Sequence, residues 1–371
     1  MESAKILIVT QEFPPDVGGC GVVAKSIANY LSEKQVQVTV LTSSDEVLLD
    51  KSQEAYRIDR VKRVPKIFPL VFMARLLRYD LKAFDAIFIN DVGAAFVSSL
   101  FLPKKYQQKC VVYLQGGELN IFYKLKNKFR VLNFFGFKQK YIQLLKRSKQ
   151  IVAVSECMKQ EFISVSGLTE LQSKISIAMP AINMEIFYPE SSDLREKYQL
   201  PLESELILSA GRIDAHKGYQ KQYEIFKQLA EQDSAFHWLI VGVGPYEETL
   251  KEAIKKDGLE KRITFVGRVA QNELRKFYSL ADVFWQLSLW EALGLVYLEA
   301  NACGTPVIGF RNSGVQEIVA HHKSGFLIEN EFESLEIFLE RKYKKFEANN
   351  LIAHVKAHNE KQSQLLKLLK N

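Results

Sequence analysis

The chain has 371 residues, of which 47% are hydrophobic and 25% charged. That balance excludes a disordered or fibrous protein, and the length suits two domains, each with its own core. The net charge of +7 is uneven: residues 1–190 hold 26 basic and 18 acidic side chains, residues 191–371 hold 24 and 25. Cys20, Cys110, Cys157 and Cys303 are scattered without CxxC spacing, so neither a zinc site nor a disulfide framework is expected, and a reducing compartment is. The apolar stretch near the start is too short for a signal-peptide core. No uncharged apolar run approaches the roughly 20 residues of a spanning helix, so the expectation is a cytoplasmic chain whose membrane contact, if any, is peripheral.

In chain order, short apolar runs rich in β-branched residues alternate with helical periodicity, the pattern of an α/β protein with parallel sheets and helical crossovers. Strands are predicted at 5–10, 36–42, 55–61, 85–90, 110–115, 151–155 and 175–179, and then at 205–210, 237–242, 263–266, 282–287, 306–309 and 325–328. Between the two sets, Pro180, Pro189 and Pro201 mark a linker. The expected layout is a domain over 1–180, a linker over 181–204, a second domain over 205–330 and a polar helical tail over 331–371.

The first predicted strand runs into Pro14-Pro15-Asp16-Val17-Gly18-Gly19 before a helical stretch. Paired glycines let a backbone approach a ligand unobstructed, although a plain strand-to-helix turn uses the same residues. Farther on, 121–150 holds nine basic residues and no acidic one, interleaved with Phe122, Tyr123, Phe129, Phe134, Phe135, Phe137 and Tyr141. Such a segment suits reversible contact with an anionic inner leaflet, worth about 1 kcal/mol per basic residue near the surface. A domain helix with a solvated basic face is the alternative. No RNA or DNA motif accompanies the charge, so no nucleic-acid partner is expected.

In the second half, strand 205–210 runs into Gly211-Arg212-Ile213-Asp214-Ala215-His216-Lys217-Gly218. Ligands of open α/β sheets sit beyond the carboxyl ends of strands, which places Arg212 and Lys217 where an anion would bind; solvated loop cations would read the same. Strand 282–287 leads to Trp290-Glu291-Ala292-Leu293-Gly294-Leu295, where Gly294 opens a helix that Gly304 and Pro306 close. The free N–H groups of that helix start suit a diphosphate. Glu291 and Glu299 are eight residues apart, roughly 12 Å of rise on a continuous helix. That is too far for the paired carboxylates of glycoside hydrolysis and suits a long ligand held at two places. The structural alternatives are a carboxylate favoured by the helix dipole for Glu291 and a buried partner of a basic side chain for Glu299. His321-His322 is too isolated for a metal site.

Taken together, Gly211-Arg212…Lys217-Gly218, Glu291-x-x-Gly294-Leu295…Leu298-Glu299-Ala300…Gly304-Thr305-Pro306-Val307-Ile308 and Gly314…Glu317-Ile318-Val319…Ser324-Gly325 resemble glycosyltransferase family 4, densely over 205–328. The resemblance implies a GT-B fold, two Rossmann-like doubly wound domains facing each other across a cleft. It also implies metal-independent binding of a nucleotide sugar such as a UDP- or GDP-sugar, and transfer with retention to a glycan or lipid-linked acceptor. Carried over by position, Arg212 and Lys217 would hold the diphosphate and Glu291 the donor-sugar hydroxyls, aided by backbone N–H groups of Ala292, Leu293, Gly294 and Leu295. Glu299 would bind the ribose, the base would lie near Val266 and Arg268, and the Gly18-Gly19 loop would face the donor phosphates. By analogy, the setting would be assembly of a bacterial surface polysaccharide.

The chain departs from the family pattern in places. Ala292 and Leu293 stand where the family commonly has Gly and Phe, Gln115 where it has a histidine, and Pro180-Ala181-Ile182-Asn183 replaces a Pro-Asn-Gly turn. Glutamine can hydrogen-bond but carries no proton at neutral pH. Gln115 and the altered Pro180 turn keep open a catalytically silent binding or regulatory subunit, against which Glu291, Glu299, Arg212 and Lys217 argue. A dinucleotide oxidoreductase is disfavoured, because no GxGxxG follows the first strand and Gly242-Val243-Gly244-Pro245-Tyr246-Glu247 lacks the third glycine.

Overall fold

The computed structural model describes residues 4–15, 18–44, 55–63, 68–122 and 136–361. They divide into two compact units, one within Met1–Pro180 and the other over Ala181–Glu360. The first unit contains, in order, β1 (Lys5–Val9), α1 (Gly19–Glu33), β2 (Gln37–Ser44), β3 (Arg57–Lys62), α2 (Phe68–Leu76), β4 (Ala86–Ile89), α3 (Val92–Phe101), α4 (Lys104–Gln107), β5 (Cys110–Leu114), α5 (Leu119–Phe122), α6 (Phe137–Arg147), β6 (Gln150–Ala153), α7 (Glu156–Ser166) and β7 (Ile175–Ile177). Its parallel sheet has the order β3-β2-β1-β4-β5-β6-β7, with Ile6 opposite Val38 on one side and Ala86 on the other. Every residue of β4 and β5 is buried, as expected of central strands covered on both faces, which read as continuous apolar runs. Two of its helices start on side-chain caps: Asp91 accepts from the Ala94 N–H and Ser155 from the Met158 N–H.

The second unit contains α8 (Leu194–Lys197), β8 (Glu205–Ala210), α9 (Tyr219–Gln232), β9 (Phe236–Val241), α10 (Glu247–Lys256), β10 (Ile263–Gly267), α11 (Gln271–Leu280), β11 (Val283–Gln286), α12 (Leu295–Ala302), β12 (Val307–Phe310), α13 (Val315–Ile318), β13 (Gly325–Ile328), α14 (Phe332–Leu339) and α15 (Ala348–Glu360). Its sheet, also parallel, has the order β10-β9-β8-β11-β12-β13. Tyr219, Phe226, Trp238, Trp285 and Phe338 fill the core on one side, with the Trp238 and Trp285 rings 5.5 Å apart. All thirteen predicted strands are present, each end within two residues of expectation; β8 and β13 coincide with it.

Residues of the expected linker and tail pack onto this second unit. Asn359 on α15 exchanges two hydrogen bonds with the backbone of Ile182, and Glu190 pairs with Arg275 at 2.7 Å. The tail is more than surface helix: Leu351, Val355 and His358 are buried. Arg341 reaches Glu205 at 2.6 Å and Asp233 at 2.7 Å, joining the segment after α14 to the start of β8 and the end of α9.

In each sheet the strand order reverses once, between β1 and β4 in the first unit and between β8 and β11 in the second. At such a reversal the two following loops diverge and leave a crevice beyond the carboxyl ends, where open α/β sheets bind ligands.

Candidate active site

At the second unit's switch point, the loop after β8 carries Arg212 and Lys217, and the loop after β11 carries Glu291. The structure brings Lys217 and Glu291 together, with Nζ 2.6 Å from Oε1 and side chains only 24% and 13% exposed. The Ser288 hydroxyl donates to the same carboxylate oxygen at 2.7 Å. The Glu291 N–H donates to Ser313 Oγ at 2.9 Å, and its carbonyl accepts from the Gly314 N–H at 2.9 Å. Residues after β12 therefore fix the loop that presents the carboxylate.

Glycines let these loops touch. A Cβ on Gly218, whose φ is +81°, would fall 1.8 Å from the Leu287 carbonyl oxygen, and one on Gly314 would fall 2.3 Å from that of Ala292. Only a residue without a side chain fits such approaches. The Leu289 N–H donates to the His216 carbonyl at 2.9 Å, and the Gln286 carboxamide donates to that of Lys217 at 2.6 Å.

Arg212 is open, 69% exposed, with Nε 3.7 Å from Asp214. Asp214 in turn accepts from His216 at 2.9 Å. Burial works against it, but the His216 hydrogen bond and charge, with Arg212 beyond, hold the Asp214 carboxyl below its usual range.

The helix does not run through both glutamates. Gly294, at φ +93°, caps α12, which starts at Leu295, so Glu291, Ala292 and Leu293 lie in the preceding loop and the rise computed for a continuous helix does not apply. Leu293 is buried. Glu299 lies inside α12, 5% exposed, and accepts from the Tyr278 hydroxyl at 2.9 Å; the contact seen is a phenol, where a basic partner was the structural alternative. Burial pushes its carboxyl up to about 7.

The remaining expected residues lie on other elements. Val266 sits at an irregularity in edge strand β10, and Arg268 is exposed just beyond it; the Gly267 carbonyl accepts from the Gly242 N–H at 2.8 Å. Gly18 and Gly19 belong to the first unit, at the start of α1, where a Cβ on Gly18 would strike the Glu12 carboxylate and one on Gly19 would meet nothing. Asp16 and Val17 lie outside the described residues.

Sequence reasoning missed a second polar cluster at the first unit's own switch point. Asp91 accepts from the Thr10 hydroxyl at 2.7 Å and from the Gln11 N–H at 2.5 Å, tying the end of β1 to the start of α3. Gln115, expected in the place of the family histidine, donates to the Asn90 carbonyl and side-chain oxygens at 2.6 and 2.8 Å. Glu118, 1% exposed, accepts from the N–H groups of Gln115 and Gly116, and burial pushes its carboxyl up to about 7. The available signal was a polar residue, Thr10, Asn90 or Gln115, closing each of three predicted strands.

Of the basic segment 121–150, residues 123–135 lie outside the described residues. The aromatic side chains that are described turn inward: Phe122, Phe137 and Tyr141 are buried, with Phe137 and Tyr141 rings 5.9 Å apart. Lys140, Lys146 and Lys149 are exposed, as are Lys104 and Lys105 on the adjacent α4. No helix of the described residues is long and apolar enough to cross a membrane. Among the described residues no group of three or more His, Cys, Asp and Glu could hold a metal ion; His321 Nδ1 instead accepts from the Leu327 N–H.

Comparison with known proteins agrees with this fold. The model for glycosyl transferases group 1 matches residues 190–365, and that for glycosyltransferase family 4 matches residues 17–185. An uncharacterised glycosyltransferase of Methanocaldococcus jannaschii is 25% identical over 343 residues, 87% of this chain and 85% of that one. The amylovoran biosynthesis glycosyltransferase AmsK of Erwinia amylovora is 29% identical over 220 residues, 58% of this chain and 52%, about half, of its own length. Among solved structures, HepE of Anabaena in complex with UDP superposes with a TM-score of 0.76 at 20% identity, over 99% of each chain. That likeness establishes the GT-B fold, and with a family model on each half the chain belongs to the family 4 type of glycosyltransferases.

Proposed function

We propose that this glycosyltransferase moves a sugar, of the hexose type, from a nucleotide diphosphate such as a UDP- or GDP-sugar to a glycan or lipid-linked acceptor. Transfer retains anomeric configuration and needs no metal ion, and it serves assembly of a bacterial surface polysaccharide such as lipopolysaccharide, O-antigen or capsule. The observation that carries this reading is the Lys217–Glu291 pair at the β8/β11 switch point: a cation for a diphosphate and a carboxylate for sugar hydroxyls, held side by side. The UDP in the HepE structure supports the donor class, and the amylovoran relative supports the setting.

In this reading the diphosphate takes the Lys217 ammonium from Glu291, and the freed carboxylate accepts from the donor-sugar hydroxyls. Cleavage of the bond between the anomeric carbon and the diphosphate oxygen leaves charge on the departing nucleotide. Lys217, Arg212 and the N–H groups at the start of α12 stabilise that charge. The acceptor hydroxyl then bonds the anomeric carbon from the face just vacated, and its proton leaves with the diphosphate. No protein nucleophile takes part. Ala292, in the loop between Glu291 and the helix cap, narrows the sugar pocket, and Glu299 takes the ribose with the carboxylate oxygen that Tyr278 leaves open. Val266 and Arg268 flank the base, while Gly18 and Gly19 serve the donor phosphates from the first unit.

The exposed lysines of α4 and α6 add peripheral contact with an anionic inner leaflet, placing the enzyme where a lipid-linked acceptor resides. With Phe137 and Tyr141 in the core, the described residues of this segment offer the contact charge rather than those two rings. A catalytically silent subunit is the second reading, favoured by Gln115, whose carboxamide is committed to Asn90.

A thermal-shift panel of nucleotide sugars, followed by nucleotide release with the donor that binds, tests the proposal. A donor at about 100 times its Kd stabilises by about 2.7 kcal/mol. Binding without release or transfer favours the silent subunit, and a panel with no shift removes the donor class.

A further inference from the structure

Beneath Lys217 lies a chain of buried carboxamides that the chemistry above does not use. Gln286, 1% exposed at the end of β11, donates through Nε2 to the Lys217 carbonyl at 2.6 Å and to Gln222 Oε1 at 3.2 Å. Gln222, fully buried on α9, donates to Ser209 Oγ at 2.9 Å and to the Trp285 carbonyl at 2.7 Å. Trp238 Nε1 donates to the same Ser209 hydroxyl at 3.0 Å, and that hydroxyl donates to the Trp285 carbonyl. The directions are forced, because the carbonyls of Lys217 and Trp285 can only accept.

Burying two carboxamides in a tryptophan-lined core costs stability unless each finds partners, and an apolar pair would fill the same space at less risk. What the polar pair adds is a hold on one backbone atom. The Lys217 carbonyl belongs to the peptide that leads into Gly218, at φ +81°, and its orientation sets the direction in which the Lys217 side chain leaves the loop. The neighbouring His216 carbonyl is held by the Leu289 N–H, a backbone contact that any sequence could make. The Lys217 carbonyl is held by a side chain.

Resting on the reading of Lys217 as a diphosphate ligand, we propose that Gln286, braced by Gln222, is a positioning residue that aims the Lys217 ammonium at the donor site. Gln286→Met keeps the length and removes the donor. Two measurements on the purified full chain decide the matter. One is acetylation of Lys217 by acetic anhydride, read by mass spectrometry against exposed Lys255. The other is affinity for UDP and GDP by calorimetry. The expected result is severalfold faster acetylation, as the ammonium leaves Glu291, and affinity weaker by about tenfold, the scale of one charge-assisted hydrogen bond.

The double variant Gln222→Leu/Gln286→Met refills the core with apolar groups and guards against misfolding of the single one. If the carboxamides matter only for packing, the double variant recovers wild-type acetylation and affinity, and the proposal fails. Positioning predicts recovery of the melting temperature alone. Wild-type acetylation or wild-type affinity in a folded Gln286→Met chain also overturns it. If the wild-type chain binds neither UDP nor GDP, the donor reading is what fails, and Lys217 acetylation alone then decides the role of Gln286.

Discussion

Lys217 and Glu291 meet at 2.6 Å although 74 positions separate them, because each lies in the loop that follows one of the two adjacent strands where the strand order reverses. Ser288 shares the carboxylate oxygen, so the pair is a fixed and largely sheltered unit. Each group holds the other's charge in place, and on the proposed reading a donor must offer both a better anion and better hydroxyls to part them.

That exchange separates the two roles. Glu291→Gln frees the ammonium, so affinity for UDP or GDP without a sugar is expected to hold or improve. Sugar transfer is expected to fall at least about tenfold, the loss of one strong hydrogen bond in the transition state. Calorimetry with the free nucleotide and a nucleotide-release assay with the sugar donor check the two halves.

Gly218→Ala tests the packing of the loops that carry the pair. The new methyl group would meet the Leu287 carbonyl at 1.8 Å with φ at +81°, combining left-handed strain with a clash. A loss of about 2–4 kcal/mol in chemical denaturation is expected. Ala at Gly211, where a Cβ meets nothing, serves as the comparison, losing only the strain of its positive φ.

Glu299 gives a pH signature. Its carboxyl ionises near the ordinary 4.5 when unfolded, and burial pushes it up to about 7 when folded. Between these values the folded chain keeps a proton that the unfolded chain has lost, so stability falls as pH rises through the window. Moving from about pH 5 to about pH 8, Glu299→Gln is expected to gain about 2–3 kcal/mol relative to the wild-type chain. Glu118 shifts in the same direction but sits in the other unit and cancels in that difference. Urea denaturation of both chains at the two pH values reads it out, and a difference independent of pH contradicts the burial of this carboxyl as an acid.

The basic face of the first unit is tested with vesicles. Sedimentation at low salt is expected to favour phosphatidylglycerol over phosphatidylcholine vesicles. The triple variant Lys104→Glu/Lys105→Glu/Lys140→Glu should lose most of that preference, at about 1 kcal/mol or more per reversed charge. Equal sedimentation with both vesicle types removes the membrane proposal.

Much of this architecture was legible in the residues. β8 and β13 coincide with expectation because turn and glycine signals bracket compact apolar runs, and Gly294 announces the start of α12. Arg212, Lys217 and Glu291 could be placed at strand ends for the same reason. The buried polar groups were not legible. Gln222 and Gln286 are side chains that usually face water, and only the return of α9 over β11 gives them partners. The same holds for the Asp91–Thr10 and Gln115–Asn90 contacts, each of which joins residues that follow different strands. Amphipathic spacing along α6 puts Phe137, Tyr141, Leu144 and Leu145 on one buried face, with Lys140 and Lys146 exposed on the other side.

Calorimetric titration of UDP and GDP into the wild-type chain and Lys217→Ala, paired with turnover on the donor that binds, addresses the switch-point site directly. At least one nucleotide should bind the wild-type chain, with affinity weakened about tenfold or more by Lys217→Ala. Turnover should fall about 10²–10³-fold, as on losing one oxyanion-hole donor. Equal binding and near-normal turnover in Lys217→Ala, or no binding of either nucleotide by the wild-type chain, would contradict a diphosphate grip at this place.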